Sequence, residues 1–267
     1  MPTSKLQRFK ELSEHFNVAE VEYRRDSQLQ EAEFDSLEKW YAHVDDGRRR
    51  FIPFLRDQCG VKFSGRVLEL AAGSGWMSAE MSRMPEVMEV FALDASETLL
   101  QEITPNIFNY LQAQEDKITR VLGDFHRLEF KNESFDLVTV DAGLHHAVSL
   151  DAVLAEVFRV LKPGGQHVAI REMITPPLWF KRTSSTRRRL IAAGVTENMY
   201  PMKEWRAAFE KAGFSFRARR VNLKTNWLAR LNEWLFNGLF HCRYVLLGAK
   251  VVNSKQQTVN RYRASNP

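Results

Sequence analysis

Acidic side chains stand in this chain inside or just beyond its apolar runs, and that placement points to ligand chemistry. Glu69 interrupts Val67-Leu68-Glu69-Leu70, Asp94 closes Val90-Phe91-Ala92-Leu93, and Asp124 follows Ile118-Thr119-Arg120-Val121-Leu122 after one glycine. Such runs read as buried strands, and acids at the ends of successive parallel strands fall along the one sheet edge where ligands bind. A carboxylate at Glu69 can accept from a cationic or amino group. Between Leu70 and Trp76 lies a turn of small residues, Ala71-Ala72-Gly73-Ser74-Gly75. Small residues let the backbone approach a ligand, and the helix that follows offers it free N–H groups. Asp94 lies nineteen positions beyond Gly75 (94 − 75), near the ~20-residue spacing of an acid that holds ribose hydroxyls. His145-His146 follows the run Phe135–Asp141 and is the titratable pair near that edge able to exchange a proton at neutral pH.

The elements that must position these groups are legible from periodicity. Val67–Leu70, the turn and Trp76–Met81 make a strand, turn and helix. Ser96 is a good N-cap for a helix with Leu99, Leu100 and Ile103 on one side, which Pro105 breaks or kinks before Ile107–Gln114. Phe135–Asp141 is a fourth strand. Leu150, Val153, Leu154, Val157, Phe158 and Leu161 then mark one face of a helix capped by Ser149 and stopped by Pro163-Gly164-Gly165. His167–Ile170 is a fifth strand, reached by a parallel crossover.

Four stretches together carry a family resemblance: Glu69 to Gly75, Leu93-Asp94-Ala95-Ser96, Gly123-Asp124-Phe125, and Arg159-Val160-Leu161-Lys162-Pro163-Gly164-Gly165. They resemble S-adenosylmethionine-dependent methyltransferases of the Rossmann-like class, and within it the small-molecule group that includes quinone- and sterol-modifying enzymes. The resemblance covers about residues 60 to 175. It implies an α/β fold whose seven-stranded, mostly parallel sheet has helices on both faces. It also implies S-adenosyl-L-methionine as cofactor, held among Glu69, Ala71, Gly73, Ser74, Gly75, Asp94, Ala95, Asp124, Phe125, Asp141 and Leu144. In that reading Gly73 and Gly75 back the methionine portion and Asp94 takes the ribose hydroxyls. Asp124 with the Phe125 amide reads the adenine, and Asp141 and Leu144 line the path to the methyl group. His145 and His146 are the catalytic candidates, against a structural role as hydrogen-bonding residues. Ala71 stands where the family usually carries glycine, and a methyl there is accommodated if φ is negative.

Residues 1–60 read as a helical N-terminal cap, with Leu6, Phe9, Leu12 and Phe16 on one helical face, followed by helices over Glu33–Asp45 and Gly47–Gln58. Tyr23, Trp40 and Tyr41 are candidate lid residues, with core packing as the alternative. Residues 61–252 form the catalytic domain, and 253–267 a polar tail. The segment from Glu172 to Tyr200 loosens and is expected to help form the substrate pocket. A helix over Lys203–Lys211 and strands over Phe214–Val221 and Cys242–Val252 complete the sheet. Between those strands about twenty residues intervene where the family commonly has a short hairpin. They carry Trp227, Leu228, Leu231, Trp234 and Leu235 at helical spacing, a stripe suited to core packing, a homodimer contact or a membrane interface.

Composition bounds the rest. The 267 residues are 44% apolar and 27% charged, ordinary for a globular chain. Two cysteines without metal-like spacing favour a reducing compartment, and no metal ligand set is expected. The start lacks a secretory apolar core, and no run approaches the ~18 apolar residues of a membrane span, so a cytoplasmic location is expected. The net charge of +5 hides an asymmetry: residues 181–267 hold 18 Lys and Arg against 4 Asp and Glu, so that third carries +14 and the rest −9. Such a third is either a solvated face or a surface for an anionic partner, whether a small acceptor, received for instance by Arg187-Arg188-Arg189, a membrane or nucleic acid. No Asp/Asn-Pro-Pro-aromatic run follows the fourth strand, which argues against methylation of a nucleic-acid base. The function expected is methyl transfer to a small, in one reading anionic, metabolite. Two rivals are a cofactor-binding regulatory protein of the same fold and an NAD-type oxidoreductase; Glu69 and the single short turn weigh against the second.

Overall fold

The apolar runs pair side by side because each is buried on both faces and can bury them only between neighbouring strands and flanking helices. In the computed structural model, which describes residues 4–26, 35–45, 48–176, 185–224, 226–237 and 242–251, they form the centre of one eight-stranded sheet. The strands are β1 (Lys5–Arg8), β2 (Gly65–Leu70), β3 (Val87–Asp94), β4 (Ile118–Leu122), β5 (Phe135–Asp141), β6 (Leu161–Ile170), β7 (Ser215–Arg220) and β8 (Tyr244–Ala249). Their spatial order is β1-β4-β3-β2-β5-β6-β8-β7. The pairings are parallel as far as β6, while β8 runs antiparallel to both β6 and β7. The chain order reverses on either side of β2, which opens a crevice beyond the carboxyl ends of β2 and β5.

The eighth strand corrects the reading of the N-terminus. Lys5–Arg8 is not helical: it pairs with β4 at the sheet edge, Lys5 opposite Thr119 and Arg8 opposite Leu122. Phe9 explains the preference. Its ring lies against Gly123, where an added Cβ would come within 2.3 Å, and meets Phe130 edge-on at 5.3 Å. A strand partner and an aromatic niche outweigh the helical spacing. Helices α1 (Val18–Asp26), α2 (Leu37–Asp45) and α3 (Phe51–Cys59) follow. The tail from 253, the segment 177–184 and the side chain of Leu235 lie outside the described residues.

The remaining helices are α4 (Trp76–Ser82), α5 (Thr104–Tyr110), α6 (Leu150–Val160), α7 (Ser185–Ala192), α8 (Met202–Lys211) and α9 (Trp227–Phe236). Pro105 is accommodated in the first turn of α5, and the chain before it, Leu99–Ile103, widens into a π-helical turn. Helix α6 buries Leu150, Val153, Leu154 and Val157, and the Ser149 hydroxyl caps it by accepting from the Ala152 amide.

Glu69 is fully buried within β2 and does not reach the crevice. Its Oε2 accepts from the Ser78 amide at 2.8 Å and from the Ser78 hydroxyl, which pins α4 to the strand. Burial pushes its carboxyl up to about 8, against the pull of Ser78. An acid raised in the folded state contributes stability below its unfolded value near 4.5, and loses it as pH rises through about 8. Glu69→Gln should therefore match the native chain near pH 4, below the unfolded value, and be the more stable of the two at pH 9. Urea denaturation at both pH values checks this.

Candidate active site

Three strands that end at the crevice do so in the same strained way. Ala71 after β2, Ala142 after β5 and Arg171 after β6 are non-glycine residues with φ of 48°, 53° and 57°. All three line one cavity. Side chains in the left-handed region cost roughly 1–2 kcal/mol each, and such strain gathers where a site requires it. Ala71 thus departs from the expectation of a negative φ. Its methyl is accommodated because Gly143 faces it, where an added Cβ would stand 2.7 Å away.

The same cavity gathers most of the residues singled out from the sequence: Ala71, Gly73, Ser74, Asp94, Ala95, Asp124, Phe125, Asp141 and His146. Four candidates lie off it. Glu69 is in the core, and Gly75 turns into α4 at φ 74°, with Phe108 so close that a Cβ would come within 2.8 Å of its ring. Leu144 and His145 are buried behind the crevice. The cause is Glu172, whose carboxylate accepts from the amides of Gly143, Leu144 and His145 at 3.0 Å each and from His145 Nδ1 at 2.9 Å. That carboxylate holds the whole loop from behind.

His146 takes the opposite course. Its ring lies on that of His145, centroids 4.1 Å apart, and faces the cavity. Nδ1 donates to the Thr196 carbonyl at 2.8 Å, with Glu20 Oε1 at 3.2 Å. Both rings therefore have orienting partners that the sequence did not reveal. His145, His146 and Glu197 bring ligand atoms within 4.8 Å of one another, a grouping able to hold a cation.

Asp94 faces the crevice with Oδ2 accepting from the Gly73 amide at 2.7 Å and Oδ1 from the Ser96 amide at 2.8 Å. The turn and the third strand are thus locked together, and each carboxylate oxygen keeps a further acceptor site. Asp124 is more heavily committed. Oδ2 accepts from the Ser13 amide and hydroxyl, and Oδ1 from the His126 amide and ring. Burial alone would raise this carboxyl; the bonds from His126 and Ser13 win and hold it at about 2. Ser13 thereby fastens the N-terminal segment over the crevice, and Phe16, Asn17 and Glu20 become part of its wall. Of the lid candidates, Trp40 lines the cavity, while Tyr41 stacks on Tyr110 at 4.2 Å.

Asp141 was expected on a path to the methyl group, and it stands at the centre of a clamp. Its carboxylate accepts from Trp76 Nε1 at 2.7 Å, Arg48 Nη1 at 3.1 Å and Arg171 Nε at 2.5 Å. Arg48 also donates to the His43 carbonyl and meets its ring, which burial and the guanidinium keep neutral by lowering it to about 4. Arg48, Arg171 and Trp76 escaped the sequence reading. Arg171 carried a usable signal, since it follows an apolar strand as Asp94 and Asp124 do; Arg48 carried none. The basic run of α7 lies apart from the cavity, and Arg187 is spent on the Glu197 carbonyl. Arg171 also lines a second hollow, with Arg50, Phe51, Lys224, Glu233, Arg243 and Tyr244.

A glycine-rich strand-to-helix turn, an acid on the next strand and an acid-aromatic pair on the third therefore meet in one crevice. Residues 67–165 match the family described as a methyltransferase domain. That match spans 99 of the 267 residues, and over it the chain carries a methyltransferase domain. Its relatives include the sterol 24-C-methyltransferase erg6 of Aspergillus fumigatus, 29% identical over 60% of this chain and 42% of the relative. The demethylmenaquinone methyltransferase of Leptospira interrogans is 37% identical over 39% of this chain and 42% of the relative. The chain thus spans less than half the length of these two curated relatives. Among solved structures, a phosphoethanolamine N-methyltransferase 2 of Haemonchus contortus in complex with S-adenosyl-L-methionine superposes with a TM-score of 0.59. That match covers 87% of this chain and 60% of the other, at 13% identity, and shows the shared fold.

S-adenosylmethionine is the cofactor of this class, and the crevice suits it. At Gly73 an added Cβ would meet nothing nearer than the Ala71 carbonyl at 3.9 Å, so the backbone there borders open space. A buried anionic acceptor, Asp94, stands beside it. The clamp at Asp141 has a measurable consequence. With Arg48 and Asp141 side chains only 9% and 5% exposed, Asp141→Asn leaves a buried guanidinium without its counter-charge. A loss of about 3–5 kcal/mol in chemical denaturation is expected.

Proposed function

We propose that the chain transfers a methyl group from S-adenosylmethionine to a small-molecule acceptor in this crevice. The observation that carries the reading is the convergence of the Gly73-Ser74 turn, Asp94 and Asp124-Phe125 on one cavity beneath the N-terminal segment. In this reading Gly73 and Ser74 back the methionine portion, Asp94 binds the ribose hydroxyls, and the Phe125 amide meets the adenine, since the Asp124 carboxylate is taken up by Ser13 and His126. The bound cofactor supplies an already activated methyl group. The protein's task is then alignment, exclusion of water and, for a hydroxyl acceptor, removal of a proton. Phe16 and Asn17, on the segment that Ser13 fastens to Asp124, line the crevice with Trp40, and the Asp141 clamp fixes its inner wall.

His146 is assigned the proton, because it lines the cavity and its ring is held by the Thr196 carbonyl. His145 is assigned a positioning role through Glu172. An anionic acceptor finds two guanidiniums at this cavity, Arg48 and Arg171, which share the single carboxylate of Asp141. Its charge is better met by the second hollow, where Arg50, Lys224 and Arg243 join Arg171.

Two measurements test the reading. Charge-assisted hydrogen bonds are worth roughly 1.5–3 kcal/mol each, so Asp94→Ala should weaken S-adenosylhomocysteine binding on the order of a hundredfold in calorimetry. Unchanged affinity in a folded variant would remove Asp94 from the cofactor site. For a hydroxyl acceptor found by mass gain of one methyl group, His146→Gln should lower turnover by about 10²–10⁴-fold and leave S-adenosylhomocysteine affinity unaltered. Turnover within about tenfold of the native chain would take His146 out of the chemistry.

A further inference from the structure

Helix α9 is mounted the wrong way round for a surface helix. Its side chains Trp227, Leu228, Leu231 and Trp234 are 70%, 57%, 48% and 59% exposed. They lie at i, i+1, i+4 and i+7, one continuous face. Among the described residues, polar bonds tie it to the rest of the domain. Asn222 Nδ2 donates to the Arg230 carbonyl at 3.0 Å, and Arg220 Nη1 to the Trp234 carbonyl at 3.3 Å. Asn237 Nδ2 bonds the carbonyls of Val221 and Arg243 at 2.9 and 3.1 Å. A surface helix ordinarily turns its apolar stripe to the core; here the domain holds the helix by its backbone and presents that stripe outward.

The surroundings say what the stripe fits. Lys224, Arg230 and Arg243 are exposed beside it, Arg220 is half-buried, and the one acid of α9, Glu233, is paired with Arg243 at 3.6 Å. A second copy of this chain docked face to face would bring these cations against their own images. An anionic bilayer offers both complements at once, an apolar interior for leucine and negative headgroups for lysine and arginine. Indole rings favour the boundary between the two. No helix among the described residues is long and apolar enough to cross a membrane, so contact by this helix lies in the interface plane.

We propose that α9 docks the protein on an anionic lipid bilayer, with Trp227, Leu228, Leu231 and Trp234 inserted at the headgroup boundary. The docked face adjoins the second hollow, since Glu233 on the inner side of α9 lines it and Arg171 connects it to the cavity of His146. An acceptor held in the bilayer then has a short route to the crevice. The docking itself does not depend on the transfer reaction.

Flotation of the full chain with vesicles tests this. At low salt the protein should bind vesicles of phosphatidylglycerol and phosphatidylcholine at least tenfold more tightly than pure phosphatidylcholine, with the preference falling as salt rises. Brominated acyl chains should quench its tryptophan fluorescence. Trp227→Ser with Trp234→Ser should weaken vesicle binding by more than tenfold, with far-ultraviolet circular dichroism and S-adenosylhomocysteine affinity unchanged. Lys224→Gln with Arg230→Gln should erase most of the lipid-charge preference. Absent vesicle binding, or binding that the tryptophan pair does not affect, overturns the proposal. A concentration-dependent dimer abolished by the tryptophan variant, without vesicle binding, would assign the face to a second copy instead.

Discussion

The carboxylate of Asp141 is the point on which the crevice depends. It draws together three parts of the chain that share no sequence neighbourhood: Arg48 ahead of α3, Trp76 at the start of α4 and Arg171 at the end of β6. Each contact alone would be an ordinary polar bond. Together they fix the N-terminal preamble to the sheet at the place where the strands stop pairing. Two guanidiniums on one buried carboxylate also keep the wall of a polar cavity from carrying an unpaired acid, which would be costly at this depth.

The strand ends around Asp141 follow from the same constraint. Strands β2, β5 and β6 lie side by side, and each must stop at one level so that a ligand can sit beyond it. Left-handed residues at 71, 142 and 171 end them abruptly. The strain at Ala71 is tolerable because Gly143 withdraws, and Gly143 is held by Glu172. The loop that bears both histidines is therefore part of the support for the turn as well as of the opposite wall. The methyl on Ala71 and the position of the histidine loop are one packing problem.

Much of this was legible in the sequence because it rests on local patterns. The strands over 67–70, 90–93, 118–122 and 135–141 and the α6 face from Leu150 to Phe158 came from apolar runs and period, and the structure places them as read; the helix ends at Val160, and Leu161 with Pro163-Gly164-Gly165 belongs to β6 instead of the helix and its stop. The Gly73 turn and Asp94 came from spacing. What escaped depends on distant partners. Lys5–Arg8 becomes a strand only because β4 has an open edge and Phe9 finds Gly123. The φ of Ala71 is set by neighbours across the sheet end. The separate fates of His145 and His146 are decided by Glu172 and Thr196, 27 and 50 residues away. The stripe on α9 was visible as a stripe, and its outward orientation is a property of the polar mount at Asn222 and Asn237.

The central claim is that the crevice beyond β2, β3 and β4 is the seat of the cofactor. A crystal structure of the chain with S-adenosylhomocysteine tests it most directly. The account predicts ribose hydroxyls within hydrogen-bond distance of Asp94, the methionine portion along Gly73 and Ser74, and the adenine beside Phe125. A ligand seated elsewhere, such as the hollow lined by Arg50 and Lys224, or no ligand at saturating concentration, would contradict it.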